Sequence, residues 1–560
     1  MRRIFSFCLL FGLVAESFAQ GYYRNPTDLP MLLSGNFGEL RPNHYHMGLD
    51  IKTAAVENKP IYAAADGFVS RIKVEPGGYG RAIYIQHPNG TTTLYAHLND
   101  FNPSLEKWVK EQQYQQQSWA IDLYPDENMF PLKKGNFIAY SGNTGGSLAP
   151  HLHFEIRDTK DGFNLNPLLY QFPVEDKIAP MVTRLAIYDK SLSTYEQQPV
   201  IIAVKNAGSN RYITQPGVVK VNAKKIVLGF SAYDTHNNSH NKNGIYRAQL
   251  FLNGLPDISF LMDSIHYEDT RYMNAHIDYK TATTRSNWIH QLFQLPGYYP
   301  NSIYRTDNGT GTIDLSDGKE HAVKIEISDA YKNKSVIETR LQFSGVEKRA
   351  ATASGKMFYP DMLDGFEAPN CEFFIGEKCL YEATPIDYAE LKATDSNAVS
   401  AMHKIGQSYI PLQTKFLVRV KPTRGVENSL RSKTLMLWTS GTKKAAEKVN
   451  WNQDWASAQF RDFGNYQLVL DTVAPVVKFN FAEGSSQAGR KSISFNVSDK
   501  YGYAKVVATI DNQWICFTND KYRAFVYKFD EHCLPGEHEL KVIATDLVGN
   551  TTTATIKFVR

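Results

Sequence analysis

An internal repeat limits how this chain can fold more than any other feature of its sequence. The segment DKIAP at 176–180 returns as DTVAP at 471–475, and EHAVKIEISDAYKNKS, from Glu320, returns as EHELKVIATDLVGNTT, from Glu537. Read in register, three polar residues of one copy match three of the other: His321, Asp329 and Asn333 against His538, Asp546 and Asn550. Each copy therefore opens at an Asp-x-x-Ala-Pro boundary and closes on a strand, an Asp-initiated turn and a final strand.

The two copies resemble the immunoglobulin-like β-sandwich modules of bacterial surface and secreted proteins, in which a D…GN turn precedes the last strand. The second copy, 471–560, is the clearer match, whereas the first copy, 176–345, is longer and is expected to carry insertions. Between them, 346–470 contains strand-like runs such as KFLVRV and LMLWTS. We predict that this segment is a further β-rich domain of unassigned type.

Length and composition agree with a chain of several β domains. A chain of 560 residues is too long for one hydrophobic core and suggests roughly three to four domains. Aromatic residues make up 12% of the chain, with 32 Tyr, and short Thr, Val and Ile runs recur, which favours strands. The predicted fold class is therefore mainly β.

The region before the first copy, 20–171, is predicted to contain an antiparallel sheet. From Pro60 to Leu98, short strand-like runs alternate with the turn signals ADG and PNG, which are typical of hairpins. Within this sheet the segment 99–133 is an insertion, in which Leu105, Trp108 and Val109 follow helical spacing after a candidate Ser104 cap. We interpret the insertion as a short helix and an acidic loop, whose apolar stripe serves either ordinary packing or a lid over a substrate groove.

The N-terminus predicts export. Residues 1–19 combine Arg2 and Arg3, an apolar run and small residues before a cut at Gln20, which is typical of a cleaved signal peptide and too short for a membrane span. No later stretch approaches transmembrane length, so the predicted location is the periplasm, the cell surface or the medium. Without the signal the formal charge falls from +4 to +3, and no Lys/Arg stripe favours a nucleic-acid partner.

Four cysteines remain after the signal. They fall into two local pairs, Cys371 with Cys379 and Cys516 with Cys533. In an exported chain this pattern favours two disulfides, and no histidine or cysteine spacing near either pair fits a zinc site.

Seven histidines and aspartates of the N-terminal region are candidate metal ligands: His44, His46, Asp50, His87, His97, His151 and His153. In APHLHFEIR, His151 and His153 are two apart on a predicted strand, so both side chains emerge on one face. This spacing alone is weak evidence, because 15 histidines in the chain give roughly 0.4 such pairs by chance. The joint pattern of HMGLD, YAHL, SGNTGGS and HLHFE is more specific.

With these motifs, the segment from Asn36 to Pro167 resembles the lysostaphin-type, or LytM-domain, zinc metallopeptidases. The resemblance implies that His46, Asp50 and His153 bind one Zn²⁺ and that His97 and His151 act on the attacking water and the transition state. It leaves His44 without a role in the site. Leu148 and Ala149 depart from the family's usual Thr and Gly, and the 99–133 insertion is long, but neither departure removes a ligand.

The resulting hypothesis is an exported zinc metalloendopeptidase that hydrolyses peptide bonds in bacterial peptidoglycan cross-links, through a zinc-activated water assisted by two histidines. Which of His97 and His151 is the base remains open, as does the bond cleaved. One alternative is a catalytically silent LytM-like regulator that activates other cell-wall hydrolases. Another makes the three C-terminal β domains the main function, as an adhesin or assembly scaffold, with the peptidase subsidiary. In the enzyme hypothesis the β-sandwich modules are a stalk, a spacer or a docking surface for a protein partner.

Overall fold

The computed structural model describes residues 21–347, 354–522 and 524–560. The predicted signal peptide, 1–19, lies outside these residues. The described chain is mainly β with mostly antiparallel pairing, as the sequence predicts. Within it, no helix combines the length and the apolar character needed to cross a bilayer.

The N-terminal region folds around a twisted antiparallel sheet. Its strands β1–β14 are, in order, Leu33–Gly35, Leu40–Arg41, His44–Tyr45, Leu49–Lys52, Pro60–Tyr62, Gly67–Val74, Arg81–Gln86, Thr91–Ala96, Leu98–Phe101, Ile121–Leu123, Pro131–Leu132, Phe137–Ser141, His151–Asp158 and Phe163–Leu165. The main sheet has the order β1-β4-β13-β8-β7-β6-β10, and a smaller sheet has the order β5-β12-β9. Strands β2 and β3 form a separate hairpin.

The 99–133 insertion begins with the helix α1, Pro103–Gln116. Its N-cap is Asn102, whose side chain accepts from the Leu105 backbone N–H at 3.1 Å, so the predicted Ser104 cap is wrong. The cause is Pro103, which occupies the first helical turn where its missing N–H costs nothing. Leu105 and Val109 lie in the core of this region, and a short 3₁₀ helix, Pro167–Tyr170, ends it.

The first copy is dominated by a large, mostly antiparallel sheet. Its strands β15–β26 are Met181–Asp189, Val200–Asn206, Arg211–Val221, Lys225–Tyr233, Arg247–Leu252, Leu255–Leu261, Ser264–His266, His290–Gln291, Tyr304–Thr306, Ile313–Asp314, His321–Ser328 and Lys334–Phe343. The 3₁₀ helix Tyr267–Tyr272 and the helices α2, Met273–His276, and α3, Tyr279–Arg285, lie between β21 and β22. Eleven strands share the sheet, while β21 pairs with β14 of the N-terminal region.

Two five-stranded sheets enclose the core of the segment between the copies. Its strands β27–β38 are Lys356–Phe358, Asp364–Ala368, Cys371–Ile375, Thr384–Ile386, Tyr388–Leu391, Met402–Ile405, Pro411–Val420, Thr434–Ser440, Lys443–Lys448, Asn450–Asn452, Trp455–Asp462 and Gly464–Leu470. The short helix α4 is Asn428–Arg431.

The second copy is a sandwich of a three-stranded and a five-stranded sheet around a common core. Its strands β39–β46 are Val476–Phe479, Ser485–Ser486, Ser492–Ser498, Tyr503–Ile510, Gln513–Trp514, Phe525–Lys528, Glu537–Asp546 and Thr551–Val559, with the 3₁₀ helix Asp520–Tyr522 between β43 and β44. Two facing sheets agree with the expected sandwich, and the immunoglobulin-like assignment of both copies remains a prediction.

The closing turns of the two copies make the same contacts. In the first copy, the Asp329 carboxylate accepts from the Asn333 backbone N–H at 2.9 Å, and the Asn333 amide donates to the Asp176 carbonyl at 3.2 Å. In the second copy, Asp546 accepts from the Asn550 backbone N–H at 2.8 Å, and Asn550 donates to the Asp471 carbonyl at 2.9 Å. The repeated turn therefore ties each Asp-x-x-Ala-Pro opening to the last hairpin of its own copy.

The predicted disulfides are wrong for this structure, in which all four cysteines are free thiols. Cys371 begins β29, which runs to Ile375, and an extended strand of that length carries the chain about 13 Å away. The short connection that follows does not return Cys379 to its partner. Instead, Cys379 donates a weak hydrogen bond to the Thr414 carbonyl at 3.4 Å.

Candidate active site

Three of the predicted residues converge on one point inside the N-terminal region. His46, Asp50 and His153 each offer a ligand atom, and these atoms lie within 4.8 Å of one another. The Asp50 carboxylate Oδ1 lies 3.0 Å from His46 Nε2 and 3.0 Å from His153 Nδ1. All three side chains are buried. The structure therefore brings together the three residues to which the resemblance assigns the metal.

Strand register explains this convergence. Asp50 lies on β4, and His153 lies directly opposite it on the neighbouring strand β13. Directly paired residues project to the same face of a sheet, so the two side chains meet. His46 follows the β2–β3 hairpin and reaches the same point from outside the sheet.

The outer nitrogen of each histidine is fixed by a hydrogen bond. His46 Nδ1 donates to the Asn36 carbonyl at 2.8 Å. His153 Nε2 donates to the Glu155 carboxylate at 2.8 Å. In the neutral rings, the inner nitrogens His46 Nε2 and His153 Nδ1 then carry the lone pairs and face Asp50, which is how proteins prepare histidines for a metal. The donor set of two imidazoles and one carboxylate fits a catalytic zinc site with an open position.

Glu155 is a site residue that the sequence reasoning missed. It is fully buried and accepts from Tyr79 at 2.8 Å, from Arg157 Nε at 2.7 Å and from Asn164 at 2.5 Å, besides His153. Burial alone would raise the pKa of Glu155, but Arg157 and His153 lower it to about 2. The available signal was its position two residues after His153, which places both side chains on one face of β13.

Arg41 is the second residue that was missed. Its guanidinium donates to Asp50 Oδ2 at 2.5 Å, on the side of the carboxylate away from the histidines. Burial would raise the pKa of Asp50, but the surrounding His46, His151 and His153 keep that pKa well below its usual range. Asp50 is therefore held as a carboxylate, with Oδ1 directed at the histidines.

The two predicted catalytic histidines lie beside this cluster. The ring centroids of His97 and His151 are 4.9 Å apart, and that of His97 is 5.8 Å from His153. His97 Nδ1 donates to the Thr144 carbonyl at 2.9 Å, which leaves Nε2 as the basic nitrogen. Burial, together with His153 and His151, lowers the pKa of His97 to about 3, so its imidazole is neutral.

His151 is positioned by contacts of its Nδ1 atom with residues just before it in the chain. Its Nδ1 lies 2.8 Å from the Ala149 carbonyl and 3.2 Å from the Ser147 hydroxyl. Its Nε2 is 3.2 Å from Asp50 Oδ1 but lacks hydrogen-bond geometry, and it has no other partner among the described residues. A buried nitrogen without a partner marks a position that a ligand or water would fill.

Other candidate residues are outside the cluster. His44 is exposed on β3, and its Nδ1 donates to the Pro42 carbonyl at 2.9 Å. His87 is buried with both ring nitrogens engaged, by the Asp66 carbonyl at 2.7 Å and the Thr93 hydroxyl at 2.8 Å. Tyr95 lies in the core, where its hydroxyl accepts from the Ala64 N–H at 2.7 Å.

The first copy holds the hairpin that carries His46. Phe37, Tyr45 and Met47, which flank this hairpin, are buried in the hydrophobic core of the first copy. Asn36, whose carbonyl orients His46, exchanges two side-chain hydrogen bonds with the Gly244 backbone at 2.9 and 2.8 Å. One wall of the site is therefore built by residues that lie two hundred positions later in the chain.

The second copy contacts the loop on the opposite side. Asp520 accepts from the Gly145 N–H at 2.7 Å, and Lys521 donates to the Ser147 carbonyl at 2.7 Å. This loop supplies the Thr144 carbonyl that orients His97.

The helix α1 is packed on two sides. Its buried stripe lies in the core of the N-terminal region, and its outer face meets the second copy. There Lys110 pairs with Asp530 at 2.7 Å, and the Tyr114 ring stacks on His532 at 3.8 Å. The apolar stripe of α1 therefore packs in the core of the N-terminal region, and the outer face of the helix contacts the second copy.

Two family models match the chain. The Peptidase family M23 model matches residues 44–114, which include His46, Asp50 and His97, and a Zu5-like domain model matches 356–471, the segment between the copies. His151 and His153 lie beyond the first match.

Several curated proteins are similar to part of the chain. The DD-carboxypeptidase/endopeptidase Mpg of Neisseria meningitidis is 33% identical over 131 residues, which is 23% of this chain and 24% of that protein. An uncharacterized metalloprotease of Haemophilus influenzae is 30% identical over 167 residues, or 28% and 29% of the two chains. The peptidoglycan DD-endopeptidase ShyA of Vibrio cholerae is 29% identical over 147 residues, or 25% and 28%. The chain thus spans about a quarter of the length of the relatives it matches.

Solved structures give similar partial matches. A zinc containing peptidase from Vibrio cholerae has 25% identity and a TM-score of 0.19, covering 24% of this chain and 36% of that one. The catalytic domain of lysostaphin from Staphylococcus simulans has 23% identity and a TM-score of 0.17, covering 24% and 86%. From the family match and these sequence relatives we conclude that the N-terminal region is a peptidase family M23 domain of the LytM type.

Proposed function

We propose that this protein is an exported zinc metalloendopeptidase that hydrolyses peptide bonds in peptidoglycan cross-links. The observation that carries the proposal is the convergence of His46, Asp50 and His153 within 4.8 Å, each already oriented, beside two further imidazoles. A regulator without catalysis would not need an intact ligand set together with His97 and His151.

The residues of the site divide into two roles in this proposal. His46, Asp50 and His153 would hold one zinc ion, which when bound supplies Lewis acidity toward a carbonyl oxygen and lowers the pKa of water. His97, neutral and with Nε2 free, is suited to accept a proton from the attacking water and to return it to the leaving amine. In its protonated form, with Nδ1 donating to the Ala149 carbonyl, His151 would then donate a hydrogen bond from Nε2 to the oxygen of the tetrahedral intermediate.

The positioning residues support both roles. Glu155 keeps the His153 proton on Nε2, and Arg41 holds Asp50 ionised and correctly turned. Because several groups fix each ligand, little reorganisation is needed when the substrate binds.

The substrate class is supported by the relatives. Mpg is named a DD-carboxypeptidase/endopeptidase and ShyA a peptidoglycan DD-endopeptidase, and both share the matched region with this chain. Export is proposed from the signal-like N-terminus, because peptidoglycan lies outside the cytoplasmic membrane.

The proposal is tested by digesting purified peptidoglycan with the mature chain and identifying the products by mass spectrometry. We expect cross-linked muropeptides to be cut at one type of peptide bond, with activity lost on chelation and restored by one equivalent of zinc. If the zinc-loaded protein leaves every peptide bond intact but stimulates a separate wall hydrolase, the regulator hypothesis replaces the enzyme.

A further inference from the structure

Each copy of the repeat gathers three aspartates where the copy begins. In the first copy these are Asp176, of the Asp-x-x-Ala-Pro opening, Asp234, directly after β18, and Asp329, of the closing turn. The second copy has aspartates at the corresponding positions: Asp471 in the opening, Asp499 directly after β41 and Asp546 in the closing turn. Ligand atoms of Asp471, Asp499 and Asp546 lie within 4.8 Å of one another. In the first copy the group that meets this distance is Asp176, Asp234 and His236, and the charge of Asp329 acts on both of these aspartates.

Several of these carboxylates are buried without a partner. Asp234 is 1% exposed and Asp471 is 2% exposed. Among the described residues, neither Asp234 Oδ1 nor Asp471 Oδ2 has a hydrogen-bond partner. Asp176 is half-buried, and its Oδ2 atom is buried without a hydrogen-bond partner among the described residues. No Lys or Arg forms an ion pair with any of the six aspartates within the described parts of the chain. A buried carboxylate with neither a partner nor a counter-charge is costly, so something outside the chain is expected to compensate it.

The pKa values point the same way. Burial first, and then Asp176 and Asp329, raise the pKa of Asp234 to about 9, and burial raises that of Asp176 to about 7. Burial, with Asp499 and Asp546, raises the pKa of Asp471 to about 6. Acids that resist ionisation because other acids surround them are relieved by a bound cation.

A further acidic group, Asp530 and Glu531, differs from these aspartates because a lysine pairs with it. Asp530 and Glu531 also lie near a histidine, but Lys110 pairs with both, at 2.7 and 3.2 Å. Their charge is compensated within the protein, so this group indicates no ligand.

His236 does not change the ligand chemistry of the first copy. It lies next to Asp176 and Asp234, and burial lowers its pKa to about 4, so the ring is neutral. Its Nδ1 accepts from the Asn243 amide at 3.0 Å, which leaves the ring proton on Nε2. His236 therefore presents no lone pair to the cluster, and the available ligands in both copies are oxygens.

We propose that each copy binds one Ca²⁺ ion between its three aspartates. Carboxylate oxygens without nitrogen or sulfur ligands suit a hard cation, and calcium tolerates the irregular geometry of loop ligands better than magnesium does. Aspartates at the same three positions of both copies make the site a property of the repeat, distinct from the zinc site.

Both calcium sites lie at junctions between domains. Beside the first, the Asn237 N–H donates to the Glu175 carbonyl at 3.2 Å, and Tyr331 of the closing turn packs against the core of the M23 domain. Beside the second, the Asp471 N–H donates to the Lys433 carbonyl at 2.9 Å, and the Tyr501 hydroxyl donates to Asp395 at 2.8 Å. Calcium would thus fasten each copy to the domain that precedes it.

The test is a Ca²⁺ titration of the full mature chain, kept with one equivalent of zinc in otherwise metal-free buffer. We expect two Ca²⁺ per chain by elemental analysis and a thermal midpoint that rises with Ca²⁺ by about 5 °C. Asp176→Asn and Asp471→Asn should each lose one ion. Asparagine keeps the Oδ1 acceptor and removes a repelling charge, so neither variant should melt lower than the wild type without Ca²⁺.

The control is Asp454→Asn, whose side chain is 83% exposed and which should keep both ions. The proposal is overturned if the wild type binds no Ca²⁺ at millimolar concentration, a result that does not depend on the variants folding. It is also overturned if both variants keep two ions. If only one of the two variants loses an ion, the proposed site is refuted for the copy whose variant still binds two ions.

Discussion

The two copies share a closing turn and an aspartate triad but meet the M23 domain in opposite ways. The first copy takes Phe37, Tyr45 and Met47 into its own core and extends the peptidase sheet through the β14–β21 pair. The second copy reaches the same domain through side chains such as Asp520 and Lys521, at the edge of a loop. A shared repeat therefore fixes the internal construction of a module, whereas the residues outside the repeat decide what it docks against.

The largest expected effect comes from the buried contact of the first copy. Tyr45 is fully buried next to His46, so Tyr45→Ala should lower the free energy of unfolding by about 4 kcal/mol and weaken zinc binding. Tyr114→Ala, at the stacked contact of the second copy, should cost about 1 kcal/mol and leave zinc binding unchanged. Urea denaturation and zinc titration of both variants measure the difference.

Tyr45→Phe is the matched control. The Tyr45 hydroxyl lies beside the Tyr298 hydroxyl but has hydrogen-bond geometry to no described residue, so this variant should resemble the wild type. Equal losses in Tyr45→Ala and Tyr114→Ala would contradict the division between an integrated and a peripheral copy.

Lowering the pH should destabilise the first copy more than the second copy. His276 and His290 are buried in the first copy, where His276 Nε2 lies 3.0 Å from His290 Nδ1. Burial lowers the pKa of His290 to about 3. A histidine with a lowered folded pKa contributes stability that is present above its unfolded pKa and is lost as pH falls below it. At pH 5 this loss is about 2 kcal/mol for His290, whereas the histidines of the second copy, His532 and His538, lie near its surface.

Hydrogen exchange at pH 7 and pH 5, with zinc saturating, tests this order. Amides of the first copy should lose protection on acidification before those of the second copy. His290→Asn, which cannot be protonated, should flatten the pH dependence of the first copy even though it lowers its stability at pH 7. Earlier loss of protection in the second copy would count against the assignment.

The smallest effect is expected at the loop contact of the second copy. Asp520→Ala removes the acceptor of the Gly145 N–H and loosens the loop that orients His97, so kcat should fall by up to about tenfold with zinc content unchanged. Lys110→Ala breaks a partly buried ion pair with Asp530 elsewhere in the same interface, away from the loop that orients His97, and should leave kcat unaltered. Peptide hydrolysis under saturating zinc compares the two, and an equal response would show that the loop contact has no role in positioning His97.

Much of the site was readable from the sequence because its signals are local. His46 and Asp50 are four residues apart, and His151 and His153 share one face of a strand, so the motifs brought the right residue types together. The β-rich composition and the turn signals predicted the fold class for the same reason, since each hairpin is specified by a few adjacent residues.

The rest depends on contacts between distant segments. The resemblance assigned no role to Arg41 or Glu155, and their roles become visible only when β4, β13 and their neighbours are assembled. The packing of Tyr45 into the first copy links residues more than two hundred positions apart, and no local pattern predicts it. The disulfide prediction failed because spacing in sequence does not reveal that Cys371 begins an extended strand.

The most direct test of the central claim is a zinc titration of three metal-stripped proteins in the presence of Ca²⁺: the wild type, His153→Ala and His97→Ala. We expect one tightly bound zinc per chain in the wild type and in His97→Ala, and none at this site in His153→Ala. We also expect His97→Ala to lose about 100-fold or more in rate despite bound zinc. Equal zinc loss in both variants, or no zinc bound by the wild type, would contradict the proposed site.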